Sequence, residues 1–160
     1  MAKKTIKTNA MRILDSNKID YKTYSYKSDG EHVDGITAAN MIGKNVDEVY
    51  KTLVLQGHSK EFYVFVIAVE QNLDLKKAAK AAGEKSVEMI HVKDINKITG
   101  YIRGGCSPIG MKKSYATFVS EEAKNLDTMV VSAGKIGNQI ELSPEDLQKV
   151  TNFKYADIIK

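Results

Sequence analysis

The sequence predicts an α+β fold, in which a sheet built from hairpins packs against separate helices. Two extended apolar segments, 51–56 and 62–69, are separated by a short polar linker, so an antiparallel hairpin is the simplest connection between them. An alanine-rich helical segment at 75–82 follows, and further extended segments come later in the chain. Because hairpins are mixed with helices, a doubly wound parallel sheet is disfavoured.

The N-terminal part of the chain predicts a helix, a strand and a second helix. Apolar residues recur at helical spacing over residues 5–16, and Asn17 is expected to end this helix. Residues 21–26, rich in Tyr and Thr, predict a strand. A polar loop at 28–31 and a short helix over 37–42 precede the central hairpin.

Two helices are predicted after the hairpin. Asp74 has the side chain of a helix cap, so the first of them occupies 75–82 and ends at Gly83. Residues 92–98 predict the second, which Gly100 ends.

The C-terminal part predicts three strands and a final helix. The strands occupy 115–119, 128–132 and 139–142, with a short helix starting at 120–122 between the first two. The segment 143–146 reads Ser-Pro-Glu-Asp, where serine caps, proline occupies the first turn and the acids face the helix dipole.

Size and composition indicate a single domain over residues 1–160, since no shift in composition marks a linker. The longest apolar stretch is too short to span a bilayer, and no secretory segment begins the chain, so a cytoplasmic protein without a membrane partner is expected. The net charge of +4 permits transient contact with RNA phosphates. No dense basic tract or RNA-reading aromatic motif is present, so sequence-specific reading of RNA or DNA is not expected.

Several chemistries are disfavoured by the motifs. Neither common nucleotide-binding glycine pattern occurs, and the glycines within 132–138 fit a hairpin turn better than a phosphate loop. His32, His58 and His91 are far apart in sequence and lack metal-ligand spacing. We therefore expect neither a metal nor another cofactor.

Two features indicate a site. Lys51 interrupts an apolar extended segment, where a lysine either extends to water or serves a site, and the residues alone favour neither. The loop 104–110 contains adjacent glycines before Ser-Pro, which can leave backbone amides facing a ligand. Together they suggest a pocket that binds anions and polarises a carbonyl group.

Cys106 is the single cysteine, which excludes an internal disulfide and a cysteine-cluster metal site. It has no neighbouring histidine and no Cys-x-x-Cys partner, so a half-buried thiol is favoured over a nucleophile. A thiol-based redox protein stays an alternative hypothesis.

Blocks of the sequence match a known family in order and spacing across nearly the whole chain. Each is weak alone, and together they are specific: 49–53, 73–83, 101–108, 131–135, 140–142 and 153–158. In these blocks the chain resembles the YbaK/EbsC aminoacyl-tRNA deacylases. The resemblance implies a curved mixed sheet, part-barrel in shape, surrounded by helices, with a pocket at its mouth.

The same resemblance implies a function and a set of site residues. It implies a stand-alone editing domain that deacylates mischarged Cys-tRNA(Pro), or Cys-tRNA(Cys), with the tRNA acceptor end and prolyl-tRNA synthetase as partners. The substrate's own thiol would attack the ester to give a thiolactone. The implied catalytic residues are Lys51 and Gly104, and the implied substrate-binding residues are Tyr26, Thr52, Gly105, Ser107, Pro108 and Ser132.

Two departures from the family pattern affect substrate recognition. Gln139 stands where family members place an aspartate, and Asp34-Gly35-Ile36 stands where some place a phenylalanine. Recognition of the substrate's amine is therefore weaker or comes from Asp34, and both readings stay open. Two other functions stay alternatives: a deacylase for another mischarged tRNA such as Ala-tRNA(Pro), and a non-catalytic module that binds tRNA or a synthetase.

Overall fold

The computed structural model describes residues 7–27 and 33–160, which form helices and two sheets. Within these residues the α-helices are α1 (Asn9–Ser16), α2 (Gly35–Met41), α3 (Leu75–Ala82), α4 (Ile95–Thr99) and α5 (Pro144–Thr151). The strands are β1 (Lys22–Ser25), β2 (Tyr50–Gly57), β3 (Phe62–Ala68), β4 (Val87–Met89), β5 (Ala116–Ser120), β6 (Met129–Lys135), β7 (Asn138–Leu142) and β8 (Lys154–Ala156). No helix in these ranges is long and apolar enough to cross a membrane.

Side-chain caps set the starts of the helices. Asp74 accepts hydrogen bonds from the amides of Lys76 and Lys77, both at 3.0 Å, and α3 ends at Gly83 as predicted. The Ser143 hydroxyl accepts from the Asp146 amide at 3.1 Å, so the predicted start of α5 is also confirmed.

The first two helices begin elsewhere than predicted. The Thr8 hydroxyl accepts from the Met11 amide at 3.2 Å, so α1 begins at Asn9 and the predicted helical residues 7 and 8 are wrong. The predicted residues 5 and 6, like the whole polar loop 28–31, lie outside the described residues. Asp34 caps α2, which therefore begins two residues before the predicted position.

Short elements were the hardest to predict. The predicted helix 92–98 is divided into a 3₁₀ turn, Val92–Asp94, and α4, and the predicted helix from residue 120 is the 3₁₀ segment Glu121–Asn125. Strands β4 and β8 were missed, because each has three residues and no run of apolar side chains.

The strands form two sheets. In the first, β7 lies between β1 and β6, and all pairs are antiparallel. In the second, the order is β4-β2-β3-β5-β8, and the pairs β3–β5 and β5–β8 are parallel. The predicted hairpin of β2 and β3 is confirmed, with Tyr50 opposite Ala68 and Gln56 opposite Phe62. The segment 132–138 contains the turn of the β6–β7 hairpin, also as predicted, with Gly137 in the turn and Gly134 in β6.

One parallel bridge, between Val49 and Val130, joins the two sheets. The Val130 amide donates to the Glu48 carbonyl at 2.9 Å, and beyond this point the strands β2 and β6 diverge. The α+β class is confirmed. The expected curved mixed sheet of part-barrel shape is divided into two linked sheets, which do not close into a barrel.

Three apolar clusters hold the elements together. The largest joins both sheets with α1 and α5, and includes Val64, Val131 and Leu147. In the second, α3 packs against β2 and β3, and in the third, Ala39 of α2 packs against the residues of the bridge. Helix α3 therefore covers the second sheet, and α2 covers the junction between the two sheets, as expected for the layers of an α+β domain.

Glu141 is a buried carboxylate in the first sheet, with three partners. Its side chain is 6% exposed, and it accepts hydrogen bonds from Tyr24, Thr128 and Lys44, the last at 3.0 Å. Burial alone would raise the pKa of Glu141, but these hydrogen bonds and the Lys44 charge lower it to about 2. The network ties β1 and the segment after α2 to β7.

We predict that Glu141→Gln destabilises the protein in a pH-dependent way. Because the folded pKa of about 2 is below the ordinary value of 4.5, the charged form stabilises the fold above about pH 4.5 and this is lost as the pH falls towards 2. The loss at pH 7 should be at most about 3 kcal/mol. Denaturant unfolding between pH 7 and pH 2.5 measures it.

The matched control is Glu70→Gln, because Glu70 is exposed. The unfolding free energies of the wild type and of this control should fall together as the pH is lowered. The unfolding free energy of Glu141→Gln should fall less, so that the three values approach one another near pH 2.5. If the unfolding free energy had the same pH dependence in all three proteins, a stabilising role for the Glu141 charge would be contradicted.

Candidate active site

A cavity of about 440 Å³ opens at the edge of β2. On this edge β2 pairs with β4 only along residues 55–57, while Val49 bridges to the other sheet. Residues 51–53 pair with β3 but with no second strand in the described part of the chain. The start of α2, the segment around β4 and the glycine loop surround this open edge, so a pocket forms where the two sheets separate.

Most of the predicted site residues meet in this cavity. Those that line it are Tyr26, Lys51, Thr52, Gly104 and Ser132. Cys106, Asp34 and Gln139 line it as well. Gly105, Ser107 and Pro108, which we also expected in the substrate pocket, lie outside its lining.

Lys51 enters the cavity from the unpaired stretch of β2. Its ammonium donates a hydrogen bond to the Val69 carbonyl at 3.4 Å, and among the described residues it forms no ion pair. Burial lowers the pKa of Lys51, because the charged form loses hydration without gaining a carboxylate. An ammonium group in this state gains from a ligand oxygen that carries negative charge.

Thr52 and Ser132 supply hydroxyl groups. The Thr52 hydroxyl is buried and, among the described residues, makes no hydrogen bond. Buried polar atoms rarely stay unpaired, so the hydrogen-bonding capacity of this hydroxyl is unused in a residue that lines the cavity. Ser132 and Gln139 stand opposite each other on β6 and β7, and the Ser132 hydroxyl accepts from the Gly134 amide at 3.2 Å.

The glycine loop contributes Gly104 to the cavity and supports it from behind. Gly104 has φ of +83°, a conformation that favours glycine, and its amide has no acceptor among residues 7–27 and 33–160. Gly105 packs against the turn of the β6–β7 hairpin, where a Cβ atom would lie 2.9 Å from the Ile136 nitrogen. The Gly105 amide donates to the Ile102 carbonyl at 2.9 Å, so of the two adjacent glycines it is Gly104 whose amide is free of an acceptor among the described residues.

Ser107 and Pro108 are buried within the loop. The Ser107 hydroxyl accepts from the Ile109 amide at 3.2 Å, and Tyr101 donates through its hydroxyl to the Ile109 carbonyl. These contacts hold the loop in shape, and neither residue reaches the cavity.

Asp34 lies at the cavity and at the start of α2. Its two carboxylate oxygens accept from the Thr37 amide and the Thr37 hydroxyl, both at 2.9 Å. At Gly35 an added Cβ atom would lie 2.4 Å from Val69, so the helix start is packed tightly against the residue that accepts from Lys51. Asp34 therefore has a structural role as a cap in addition to its place at the cavity.

Residues that the sequence analysis missed form the mouth of the cavity. Arg103 is exposed beside Gly104, and three exposed apolar side chains, Ile36, Met89 and Val92, also line the cavity. Their exposed fractions, 45%, 50% and 54%, are high for apolar residues. The position of Arg103 directly before the two glycines could have indicated that it belongs to the site. Nothing in the sequence distinguishes the three apolar residues from core residues.

Cys106 lines the cavity but has a protonated thiol near neutral pH. Burial raises the pKa of this thiol to about 11. The thiolate is the reactive form of cysteine, so this environment disfavours both covalent catalysis and redox exchange. Among the described residues no group of histidines, cysteines and acids could hold a metal ion, and His32 lies outside them.

Comparison with known proteins identifies the family. The model of the aminoacyl-tRNA editing domain matches residues 31–150. The chain belongs to this family. A protein of Enterococcus faecalis with the provisional name Cys-tRNA(Pro)/Cys-tRNA(Cys) deacylase EbsC is 48% identical over 160 residues, covering 99% of this chain and 98% of that protein.

Two further proteins are more distant from this editing domain. The uncharacterized protein YwhH of Bacillus subtilis is 26% identical over 124 residues, covering 77% of this chain and 78% of that protein. The crystal structure of a protein provisionally named a trans-editing enzyme for prolyl tRNA synthetase has a TM-score of 0.80 at 20% identity, covering 96% of this chain and 98% of that one. The editing domain therefore shares its fold with that structure.

We predict that Cys106 of the editing domain reacts slowly with iodoacetamide. A thiol pKa of about 11, against an ordinary value of 9.0, gives about a 100-fold smaller thiolate fraction at pH 7.5. Mass spectrometry of the alkylated protein measures the rate, and the urea-unfolded chain should react at the rate of free cysteine. Equal rates for the folded and unfolded chains would show that the thiol is neither buried nor shifted in pKa.

Proposed function

We propose that this editing domain deacylates mischarged Cys-tRNA(Pro), with Cys-tRNA(Cys) as a further substrate. The observation that carries the proposal is the convergence of the desolvated Lys51 ammonium, the free Gly104 amide and the unpaired Thr52 hydroxyl in one cavity. Its volume of about 440 Å³ suits a small ligand such as an aminoacyl ester on a terminal adenosine. The name of the 48% identical relative adds support for cysteine as the amino acid.

The bond changes of the proposed reaction need no protein nucleophile. The thiol of the esterified cysteine attacks its own carbonyl carbon, a sulfur–carbon bond forms, and the carbon–oxygen bond to the ribose breaks. The proton of the thiol passes to the ribose oxygen, which leaves free tRNA and a cyclic thiolactone. Holding reacting groups of one molecule in the right orientation can lower a barrier by roughly 7–11 kcal/mol.

The protein residues would stabilise charge on the substrate. In the tetrahedral intermediate the carbonyl oxygen becomes negative, and the Lys51 ammonium and the Gly104 amide are hydrogen-bond donors for it. Thr52 and Ser132 would orient the ester, and Tyr26 would contact the substrate at the mouth. Gly105, Ser107 and Pro108 would act indirectly, by fixing the loop that presents Gly104.

Recognition of the substrate's amine would fall to Asp34 or Gln139, which both line the cavity. Asp34 already accepts two hydrogen bonds from Thr37, but a carboxylate has capacity for more acceptor contacts. Gln139 offers an amide oxygen without charge, which gives a weaker contact to an ammonium group.

The partners follow from the substrate. The aminoacylated acceptor end of tRNA would enter the cavity, and a prolyl-tRNA synthetase would supply most of the selection for one tRNA, in the cytoplasm. Arg103, exposed beside Gly104, would contact the phosphate of the terminal nucleotide.

Lys51→Ala tests the catalytic proposal. We expect a folded protein whose single-turnover rate on Cys-tRNA(Pro) is lower by about 10²–10³-fold, the scale of one lost donor to an oxyanion. Lys51→Arg should restore little, since a planar guanidinium does not fit the site of a compact ammonium. The matched control is Lys154→Ala, at an exposed position of β8, which should keep full activity.

Circular dichroism verifies that each variant folds. Full activity of folded Lys51→Ala would show that Lys51 is only a lysine extending to water. A panel of Cys-, Ala-, Ser- and Pro-tRNA measured on the wild type separates the cysteine-specific reaction from cleavage of another ester. A substrate without a thiol would require attack by water.

Cys106→Ala tests whether the protein's own thiol takes part. Because burial keeps this thiol protonated, the variant should deacylate Cys-tRNA(Pro) within about threefold of the wild-type rate. Single-turnover assays under the same conditions measure the ratio. A loss of about a thousandfold in a folded variant would instead indicate covalent catalysis through Cys106.

A further inference from the structure

A second cavity, of about 490 Å³, adjoins the first. Met89 and Ile90, at the end of β4, line both cavities, so this short strand and the residue after it are the wall between them. A polymeric ligand that extends out of the first cavity on this side would therefore pass directly over the second cavity.

The second cavity carries three lysines without counter-ions. Lys97, Lys112 and Lys113 line it, are exposed, and form no ion pair with another described residue. The ammonium of Lys112 donates to the Lys97 carbonyl at 3.3 Å, which places these two residues at one point of the rim. They supply positive charge where a phosphate could be bound.

Two aromatic rings form the floor beside these lysines. Phe62 and Tyr115 also line the second cavity, with ring centroids 6.0 Å apart and planes at 79°. The Tyr115 hydroxyl donates to the Ile98 carbonyl at 2.6 Å, which holds its ring in place. Both rings are half-buried and so present a surface on which a base can stack.

The acidic residues of the cavity indicate a nucleotide more than a bare anion. Glu88 and Asp94 share the lining with the three lysines, so the local charge is only weakly positive. Carboxylates accept hydrogen bonds from the amino group of cytosine. Cations, stacking rings and such acceptors together match the three parts of a nucleotide: phosphate, base plane and base edge.

We infer that this second cavity binds the single-stranded nucleotides that precede the terminal adenosine of the tRNA. This inference rests on the proposed function, since it extends the substrate of the first cavity along its RNA strand. The lysines would contact phosphates, and the rings of Phe62 and Tyr115 would stack with a base. The second cavity would recognise the chemical groups of a single-stranded RNA end. It would not select for the RNA sequence beyond that end.

The test compares two triple variants on two substrates. Lys97→Gln/Lys112→Gln/Lys113→Gln removes the cavity charges and keeps most of each stem, and Lys76→Gln/Lys80→Gln/Lys154→Gln removes as many charges from exposed positions outside both cavities. The substrates are Cys-tRNA(Pro) and 3′-cysteinyl-adenosine, which lacks the preceding nucleotides.

For the cavity variant we expect KM for Cys-tRNA(Pro) to rise about 10- to 100-fold at unchanged kcat. The slope of log affinity against log salt, roughly −2 to −4 in the wild type, should become less negative by about 2, at about 0.7 for each of the three lost single-strand phosphate contacts. Hydrolysis of cysteinyl-adenosine should stay at the wild-type rate, and the control variant should resemble wild type on both substrates.

Phe62→Leu tests the stacking surface separately from charge. This variant should weaken tRNA binding about tenfold while the salt slope stays unchanged, since no phosphate contact is lost. Equal effects of the two triple variants on tRNA binding would overturn the inference. So would normal tRNA binding by the cavity variant combined with lost binding to prolyl-tRNA synthetase, which would make the cavity a protein-docking site.

Failure of the proposed function is distinguishable from failure of this inference. If the wild type cleaves neither substrate, the deacylase proposal fails, and filter binding of uncharged tRNA to the same variants still tests the second cavity. If the wild type cleaves both substrates but the cavity variant binds tRNA normally, only the inference about the second cavity fails.

Discussion

The bridge between Val49 and Val130 is the contact on which the site depends. It holds the two sheets together at one point, and the strands on either side then diverge. Because β2 regains a partner on this edge only at Val54, whose carbonyl accepts from the Ile90 amide at 3.3 Å, residues 51–53 of this strand have an open edge. Lys51 and Thr52 lie in that stretch, so the pocket results from incomplete strand pairing and not from a hole in a packed core.

The buried Glu141 and the half-buried Lys51 of this domain have opposite environments. Glu141 has three hydrogen-bonding partners and a pKa lowered to about 2, so its charge is satisfied within the protein and contributes to the stability of the first sheet. Lys51 has one carbonyl partner and a pKa lowered by burial, so its charge is poorly satisfied. Desolvation of the Lys51 ammonium without a charged partner costs folding free energy. A negatively charged ligand oxygen would offset this cost when it binds.

The glycine loop shows how few residues of a motif reach a ligand. Gly104 lines the cavity, and its amide has no acceptor among the described residues, while Gly105 packs against the adjacent hairpin and the Ser107 hydroxyl bonds within the loop. The separation of these residues into two groups depends on which face of the loop packs against β6 and β7.

The sequence by itself determined the features that depend on neighbours along the chain. The caps at Asp74 and Ser143, the β2–β3 hairpin and the family could all be read from it, since each depends on short spacings or on matched blocks. Five of the eight predicted site residues line the first cavity, and all of these except Lys51 and Gly104 were predicted only through the family resemblance.

Only the tertiary structure decided which distant segments meet. Strand β4 has too little apolar character to be predicted, yet its pairing with β2 closes one side of the first cavity and divides it from the second. Arg103, Met89 and Val92 also line the first cavity, because segments that are distant in sequence pack together there. Pairing between segments far apart in sequence is selected by the packing of the whole domain, and no local pattern of residues encodes it.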